Sequence, residues 1–247
     1  MDRMLYIAMA GASQTMLAQG ANAHNLANAS TTGFREDLLA FSSEALQGAG
    51  FQSRVYATAD RPGVNLQPGS IIATGNELDV AVNGAGWIAV RAPDGSEGYT
   101  RAGDLRVLPS GELVNGAGHA VIGSSGAPIA LPPSEKVEIG VDGTVTVRPN
   151  GQTPEALAVV DRIKLVNPDP AQLDKGLDGL MHLRDGAAAP PDAAVTLVSG
   201  ALEGSNVNTI DAMVNMIELA RRFEMEVKLM QTAEENDQAS AQIMRIA

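Results

Sequence analysis

Three histidines are the side chains best suited to metal binding or proton transfer in this sequence. His24, His119 and His182 are far apart, and none has a second histidine at metal-ligand spacing. Cysteine is absent from the 247 residues, which excludes disulfides, thiol nucleophiles and cysteine-ligated metals. We therefore expect no metal site and no thiol chemistry.

The glycine-rich and acidic segments are incomplete as phosphate or calcium motifs. Gly84-Ala85-Gly86 precedes a predicted strand and lacks the third glycine of a dinucleotide-binding loop. Asp174, Asp178 and Gly179 lack the alternating acids of a calcium loop, and no G-x-S-x-G motif is present. A carboxylate pair for glycoside hydrolysis stays open, because folding alone brings such a pair together. The 3% aromatic content disfavours a sugar cleft, and we expect no enzyme and no cofactor.

The elements that must position functional residues begin with a long N-terminal helix. Between Met4 and Asn28 there is no proline, and apolar or small residues recur at steps of three, four and seven. No charged side chain occurs between Arg3 and Arg35. The near absence of charge on any face of this helix predicts that it is buried on several sides, so we expect other helices or subunits to pack against it.

The C-terminal segment predicts a second long helix. Residues 208–246 contain neither glycine nor proline, and Ser205 or Asn208 is expected to cap the start. Apolar residues recur there every three or four positions, at Ile210, Met213, Ile217, Ala220, Phe223, Val227 and Met230. Two helices at opposite ends of the chain suggest one discontinuous domain in which they pair as a coiled coil.

Asn-Gly and Asp-Gly pairs divide the middle of the chain into short strand-like segments. Seven such pairs, which favour tight hairpin turns, occur at 83–84, 94–95, 115–116, 142–143, 150–151, 178–179 and 185–186. The segments with strand-like composition are 78–82, 87–90, 105–108, 137–141, 144–148 and 163–166. This pattern predicts an antiparallel, hairpin-rich β domain.

The sequence therefore predicts an α+β fold in three parts. Residues 1–33 with 204–247 form a discontinuous helical core domain. Residues 34–69 with 186–203 form an extended connecting region. Residues 70–185 form a β-rich outer domain inserted between the two helices.

Charge and hydropathy disfavour nucleic acid and membranes as partners. The chain has 17 basic and 29 acidic residues, so its formal net charge is −12, and both of those partners attract clustered Lys and Arg. Polar residues interrupt the most apolar segment, so we expect no membrane insertion. The charges of Asp2 and Arg3 cancel, and the apolar stretch that follows them is short. Both features disfavour a cleavable signal peptide. We expect export, if it occurs, without cleavage.

The most specific strings lie at the helix ends. NLANASTTGF at 25–34 closes the first helix: Asn25 and Asn28 can bond backbone groups there, Gly33 can adopt a left-handed conformation, and Phe34 can anchor the emerging chain. Further strings are NELDVAV at 76–82, GW at 86–87, YTRAG at 99–103, GELV at 111–114, GALEGSNV at 200–207 and MIELARRFE at 216–224. Together they resemble the flagellar rod and hook axial proteins, in that family's order along the whole chain.

The resemblance implies a structural subunit of the bacterial flagellar basal-body rod. Members of the family assemble helically into a drive shaft that crosses the periplasm, transmits torque to the hook and encloses the export channel. The implied partners are copies of the chain, other proximal-rod and distal-rod subunits and the flagellar type III export apparatus. The strings at 86–87, 96–98 and 221–225 are most similar to proximal-rod members.

Three alternatives compete with the proximal-rod interpretation: a distal-rod protein of the same family, a secreted carbohydrate-active enzyme that uses two acids of the β domain, and a soluble binding module that dimerises through its helices.

The resemblance places the assembly residues at both chain ends: Asn25, Leu26, Asn28, Thr31, Gly33, Phe34, Leu202, Ser205, Asn206, Val207, Met213, Ile217, Ala220, Arg221, Phe223 and Val227.

Overall fold

Two long helices lie at the ends of the chain. The computed structural model describes residues 2–45, 55–149 and 157–246. Helix α1 is Asp2–Ala27 and helix α2 is Thr209–Ile246, so both predicted helices are confirmed to within two residues. Neither of these helices has a stretch long and apolar enough to cross a bilayer.

Asn208, one of the two predicted caps, begins α2. Its side-chain oxygen accepts hydrogen bonds from the backbone N–H groups of Ile210 and Asp211, over 3.1 and 3.5 Å. Its amide nitrogen donates to the Asp211 carboxylate over 2.7 Å. These bonds satisfy amide groups that have no partner within the first turn of a helix.

The two helices pack against each other in opposite directions. Asn22, near the end of α1, donates from Nδ2 to the carbonyl oxygen of Ala212 at the start of α2, over 2.7 Å. Thr15, earlier in α1, contacts Glu226, later in α2. The buried residues along the pair are mostly small: Ala8, Ala12, Thr15, Ala18 and Asn25 in α1, and Ala212, Leu219 and Ala233 in α2. The contact between the chain ends that the sequence predicts is confirmed.

Sixteen strands lie between the helices within the described residues. A pair formed by β1 (Asp37–Ala45) and β2 (Val55–Val64) follows α1. The others are β3 (Ile71–Ala73), β4 (Val80–Asn83), β5 (Trp87–Arg91), β6 (Glu97–Thr100), β7 (Arg106–Val107), β8 (Leu113–Val114), β9 (Ser134–Ile139), β10 (Thr144–Pro149), β11 (Ala158–Arg162), β12 (Leu165–Val166), β13 (Leu173–Lys175), β14 (Met181–Leu183), β15 (Thr196–Ser199) and β16 (Ala201–Glu203). Each predicted strand segment overlaps one of these strands.

The strands from β3 onward form small antiparallel sheets. The largest has the order β12-β5-β6-β14-β13, and a second has the order β11-β10-β9. Strand β4 pairs with β15, β3 with β16, and β7 with β8. A short 3₁₀ helix, Pro170–Gln172, precedes β13. The predicted α+β class with an antiparallel β region is confirmed.

Most of the predicted turn pairs form as expected. The glycines at 84, 95, 143, 179 and 186 have φ between 69° and 87°. The pair at 150–151 lies outside the described residues. Gly116 differs because a Cβ there would lie 1.7 Å from Asp104 Oδ2, so a larger residue at this position would displace the Asp104 side chain.

Strand β5 buries both of its faces, because successive side chains of a strand point to opposite sides. Ile88 and Val90 belong to the larger aliphatic cluster, which β-branched residues dominate. Trp87 and Ala89 belong to a second cluster, with Tyr99. Both buried clusters therefore include side chains of β5, in the five-stranded sheet.

The chain divides into two compact units. The first contains residues 1–28, 37–63 and 207–247, and the second contains residues 29–36 and 64–206. The paired strands β1 and β2 thus group with the helices, and residues 186–206 group with the β-rich unit. The chain passes between the units at four points.

Candidate functional site

Large apolar side chains lie exposed along both helices. Met16 of α1 is 64% exposed and Ile210 of α2 is 72% exposed. The exposed set comprises Leu5, Tyr6, Met9, Met16 and Leu17 in α1, and Ile210, Met213, Val214, Ile217, Met225, Leu229, Ile243 and Met244 in α2. Exposed apolar side chains that gather on particular elements favour a surface that binds another molecule.

The apolar stripe that the sequence predicts on α2 is largely separate from the residues that α2 buries. Met213 and Ile217 are more than half exposed, whereas Ala220, Phe223 and Val227 are half-buried. Arg221, between them in the sequence, is exposed. Because Ala212, Leu219 and Ala233 fill the buried positions of α2, the stripe stays accessible to another molecule.

Asn25 joins the end of α1 to the first strand. Its Nδ2 donates to the carbonyl oxygen of Asp37, and its Oδ1 accepts from the backbone N–H of Asp37, each over 2.9 Å. The expectation for Asn25 was a bond to the helix end, but its buried amide instead binds the backbone of β1. Asn28 donates to the carbonyl oxygen of His24 over 2.9 Å, as expected for the helix end. Leu26 is half-buried.

The turn after α1 requires glycine at position 33. Gly33 has φ of +68°, and a Cβ there would lie 2.3 Å from the backbone nitrogen of Ala102. Its N–H donates to the carbonyl oxygen of Glu203 over 2.8 Å. Thr31 is exposed, and its carbonyl oxygen accepts from the N–H of Phe34. Both the left-handed conformation and the close approach are thus built into this turn.

Phe34 is held by a cation. The Lys175 Nζ lies 4.0 Å from the centroid of the Phe34 ring and donates to the carbonyl oxygen of Arg35 over 2.8 Å. A cation over an aromatic face attracts the ring's quadrupole. Phe34 therefore has a charged partner that the sequence did not indicate, and its role as an anchor stays a prediction.

Two arginines share one buried carboxylate next to this turn. Glu203 accepts from Arg35 through Oε1 and from Arg101 through Oε2, the second bond being 2.8 Å. The Gly69 N–H also donates to Oε1, over 2.8 Å. All three charged side chains are at most 5% exposed. The cluster carries a net positive charge inside the protein.

The Trp87 ring lies next to the guanidinium groups of both arginines. The guanidinium carbons of Arg35 and Arg101 lie 5.7 and 5.3 Å from its centroid. Burial lowers the pKa of Arg101 below its ordinary value, and the neighbouring Glu203 carboxylate opposes that change. Sequence reasoning missed this cluster, although Arg101 and Glu203 both lie within the strings that carry the resemblance.

Asn206 binds three backbone groups of the β-rich unit. Its Oδ1 accepts from the N–H of Glu36 over 2.8 Å, and its Nδ2 donates to the carbonyl oxygens of Asn65 and Gln67 over 2.8 and 2.9 Å. Leu202 pairs with Ile72 in the ladder between β16 and β3. The remaining predicted residues of this segment, Ser205 and Val207, are half-buried.

Comparisons with known proteins agree with this arrangement. The family model "Flagellar hook protein FlgE/F/G D1 domain" matches residues 81–147, and "Flagellar basal body rod FlgEFG protein C-terminal" matches residues 198–243. The flagellar basal-body rod proteins FlgF of Salmonella typhimurium strain LT2 and Escherichia coli strain K12 are each 40% identical to this chain over 253 residues, with 100% of both chains covered. FlgF of Mesorhizobium japonicum is 32% identical over 243 residues, with 97% of each chain covered. The chain belongs to the FlgF family of flagellar rod proteins.

Family membership makes the chain a structural subunit of the flagellar basal-body rod, not an enzyme. The carbohydrate-active enzyme considered from the sequence is therefore set aside. The C-terminal family model spans Glu203, Asn206 and most of α2. The matched segment thus includes the buried carboxylate, the backbone clamp and the exposed apolar stripe.

Proposed function

We propose that this rod subunit occupies the proximal part of the rod and assembles helically through α1 and α2 with copies of itself and other rod proteins. The assembled rod is a shaft that crosses the periplasm, encloses the export channel and transmits torque to the hook. The observation that carries the proposal is the exposed apolar surface of both helices. Its burial between subunits supplies the rigidity that a shaft needs.

The charge distribution supports the same surface. No Lys, Arg, Asp or Glu occurs between Arg3 and Arg35, so α1 after its first two residues, Asp2 and Arg3, brings no such charge that must lose water when neighbours pack against it. Burying an unpaired charge costs several kcal/mol or more. The lack of Lys, Arg, Asp and Glu along α1 after Arg3 therefore favours a helix surrounded by other subunits.

The division into a helical core, a connecting region and a β-rich outer domain at 70–185 is part of this proposal. In it, the terminal helices make the contacts between subunits, and the β-rich domain widens the rod. We also propose export through the flagellar type III apparatus without cleavage. The absence of cysteine supports a destination where a stray thiol would be oxidised.

A pair of substitutions in α2 tests the assembly surface. Ile217→Asp places a charge on the exposed apolar stripe, and we expect it to block rod assembly, hook formation and swimming at normal protein level. The cause is an unpaired carboxylate in a contact that excludes water. Asn215→Asp, an exposed polar position two residues away, is the matched control and is expected to allow swimming. Normal swimming of the Ile217→Asp strain contradicts the proposal.

The proximal position is tested separately. In a strain that lacks the distal-rod subunits, isolated basal bodies are expected to retain this protein, because a proximal subunit assembles first. Loss of the protein from those basal bodies, together with its presence in complete rods, favours the distal alternative. Quantitative mass spectrometry of the two preparations measures the difference.

A further inference from the structure

One carboxylate interrupts the uncharged contact between α1 and α2. The buried residues of α2 lie seven or fourteen positions apart, at Ala212, Leu219 and Ala233, and Glu226 occupies the missing position of this repeat. Its Oε2 atom is buried and has no hydrogen-bond partner among the described residues. Such an acid lowers the stability of the helix pair, because it loses water without a full set of hydrogen bonds.

Helix α1 has one place that receives this carboxylate. Gly11 faces it, since a Cβ on Gly11 would lie 2.8 Å from Glu226 Oε1. Thr15, one turn further along, donates from Oγ1 to the same oxygen over 3.3 Å. Gly20, also in α1, has open space at its Cβ position. The Glu226 carboxylate therefore lies where Gly11 leaves space for it and the buried Thr15 hydroxyl donates to it.

The small residues along the pair do little to select one alignment, and the Asn22 side chain binds a backbone carbonyl oxygen, a group that every residue of α2 has. A shift of α2 by one heptad, about 10 Å along the axis, leaves mostly small residues facing one another. The shift that moves Glu226 toward the end of α1 would place it at Ala18 instead of Gly11, where a methyl group occupies the space, and at the larger Asn22 instead of Thr15. The carboxylate therefore separates the observed alignment from its neighbours.

We infer that Glu226, received by Gly11 and Thr15, fixes the register in which α1 and α2 pair. A polar residue within a helix–helix contact specifies register at some cost in stability. The register in turn sets which side chains the pair presents outward. The inference concerns the isolated chain and stands apart from the rod proposal.

Spin labels on the two helices test the register. Because the chain has no cysteine, Ala23→Cys and Thr232→Cys, both at exposed positions, provide two unique attachment points. Asn22 contacts Ala212, twenty residues before Thr232, so the labels are well separated along the axis and a shift changes their distance. The full-length labelled protein is expected to give one narrow distance by pulsed electron paramagnetic resonance. Two distances in this reference protein would overturn the inference.

Two glycine substitutions provide the decisive comparison. Gly11→Ala is expected to add a second population displaced by about one heptad, roughly 10 Å, because the new methyl group occupies the space of the Glu226 carboxylate. Gly20→Ala, in the same helix but facing open space, is the matched control and is expected to keep the single distance. Retention of the single distance in Gly11→Ala overturns the inference.

Substitutions of the acid give an independent comparison. Glu226→Leu is expected to populate the second distance, whereas Glu226→Gln is expected to keep the first, since its amide oxygen can accept from Thr15. A single unchanged distance in Glu226→Leu also overturns the inference. Circular dichroism monitors helix content, and if Glu226→Leu loses its helices, the result for Gly11→Ala decides alone.

Discussion

At the scale of single residues, Glu203 is the buried acid of the β-rich unit that pairs with two arginines. It is the shared acceptor for Arg35 and Arg101, both of which are buried. A buried ion cluster adds little net stability over an apolar one, but removal of one member leaves an uncompensated charge. Removal of one of the three charged groups is therefore expected to cost more stability than replacement of all three by apolar residues.

We expect Glu203→Gln to lower the free energy of unfolding of the β-rich unit by about 3–5 kcal/mol, because two guanidinium groups lose their counter-charge. Urea unfolding followed by Trp87 fluorescence measures this change. Glu135→Gln is the control: that side chain is 62% exposed and pairs with Arg148 over 3.4 Å, so its loss should cost less than about 1 kcal/mol. Equal effects of the two substitutions would contradict the role of Glu203.

Tyr99 makes stability depend on alkaline pH. Burial raises its pKa to about 12, and its hydroxyl oxygen accepts from the Ala189 N–H over 2.7 Å. Between about pH 10 and pH 12, the unfolded state loses a proton that the folded state retains, so the free energy of unfolding falls as pH rises. The contribution is fully present below about pH 10.

Urea titrations between pH 9 and 11.5 are expected to show this fall in the reference protein. Tyr99→Phe should be less stable at neutral pH, because the Ala189 N–H loses its acceptor, and should show a shallower alkaline decline. Tyr6→Phe, at a position that is 57% exposed, should leave the decline unchanged. An identical alkaline decline in Tyr99→Phe and the reference protein is the result that would disprove the assignment.

At the scale of elements, the turn after α1 depends on close packing as well as on backbone conformation. Gly33 and Gly84 both have positive φ, but only Gly33 approaches other backbone atoms, those of Arg101 and Ala102. We expect Gly84→Ala to cost about 1–2 kcal/mol, the ordinary penalty of the left-handed region. Gly33→Ala should cost clearly more, about 3 kcal/mol or above, because backbone must move. Trp87 fluorescence in urea compares them, and similar losses would contradict the packing argument.

The regular elements were predictable because their signals are local. The second helix follows from the absence of glycine and proline and from Asn208, and the first follows from the absence of proline. Six of the sixteen described strands follow from the turn pairs and the strand-like composition between them. The facing surface of α2 was not predictable, since apolar residues lie around much of that helix and no single stripe is unique. The cluster of Arg35, Arg101 and Glu203 was also missed, because only folding brings together residues so distant in sequence.

At the scale of the whole molecule, the two units differ in how they are stabilised. The β-rich unit has two clusters of large buried side chains, whereas alanines line much of the contact between the helices. Since burial of large apolar side chains contributes more than burial of alanine, we expect the helical unit to unfold at lower denaturant concentration.

Two probes distinguish the units. The sole tryptophan, Trp87, lies in the β-rich unit, and the two long helices dominate the circular dichroism signal at 222 nm. Urea titrations are expected to give a transition by circular dichroism that precedes the transition by fluorescence. Coincident transitions would show one cooperative unit instead.

The pairing of the first helix with the last has a consequence for the order of synthesis. Residues 28–208 separate α1 from α2, and a ribosome that adds about 5–20 residues per second needs roughly 10–35 s to make them. During that interval α1 has charged side chains only at its first two residues, Asp2 and Arg3, and no α2 packs against its apolar side chains. Helix α1, made before α2, therefore has no partner until α2 emerges, and the nascent chain is most prone to aggregation before then.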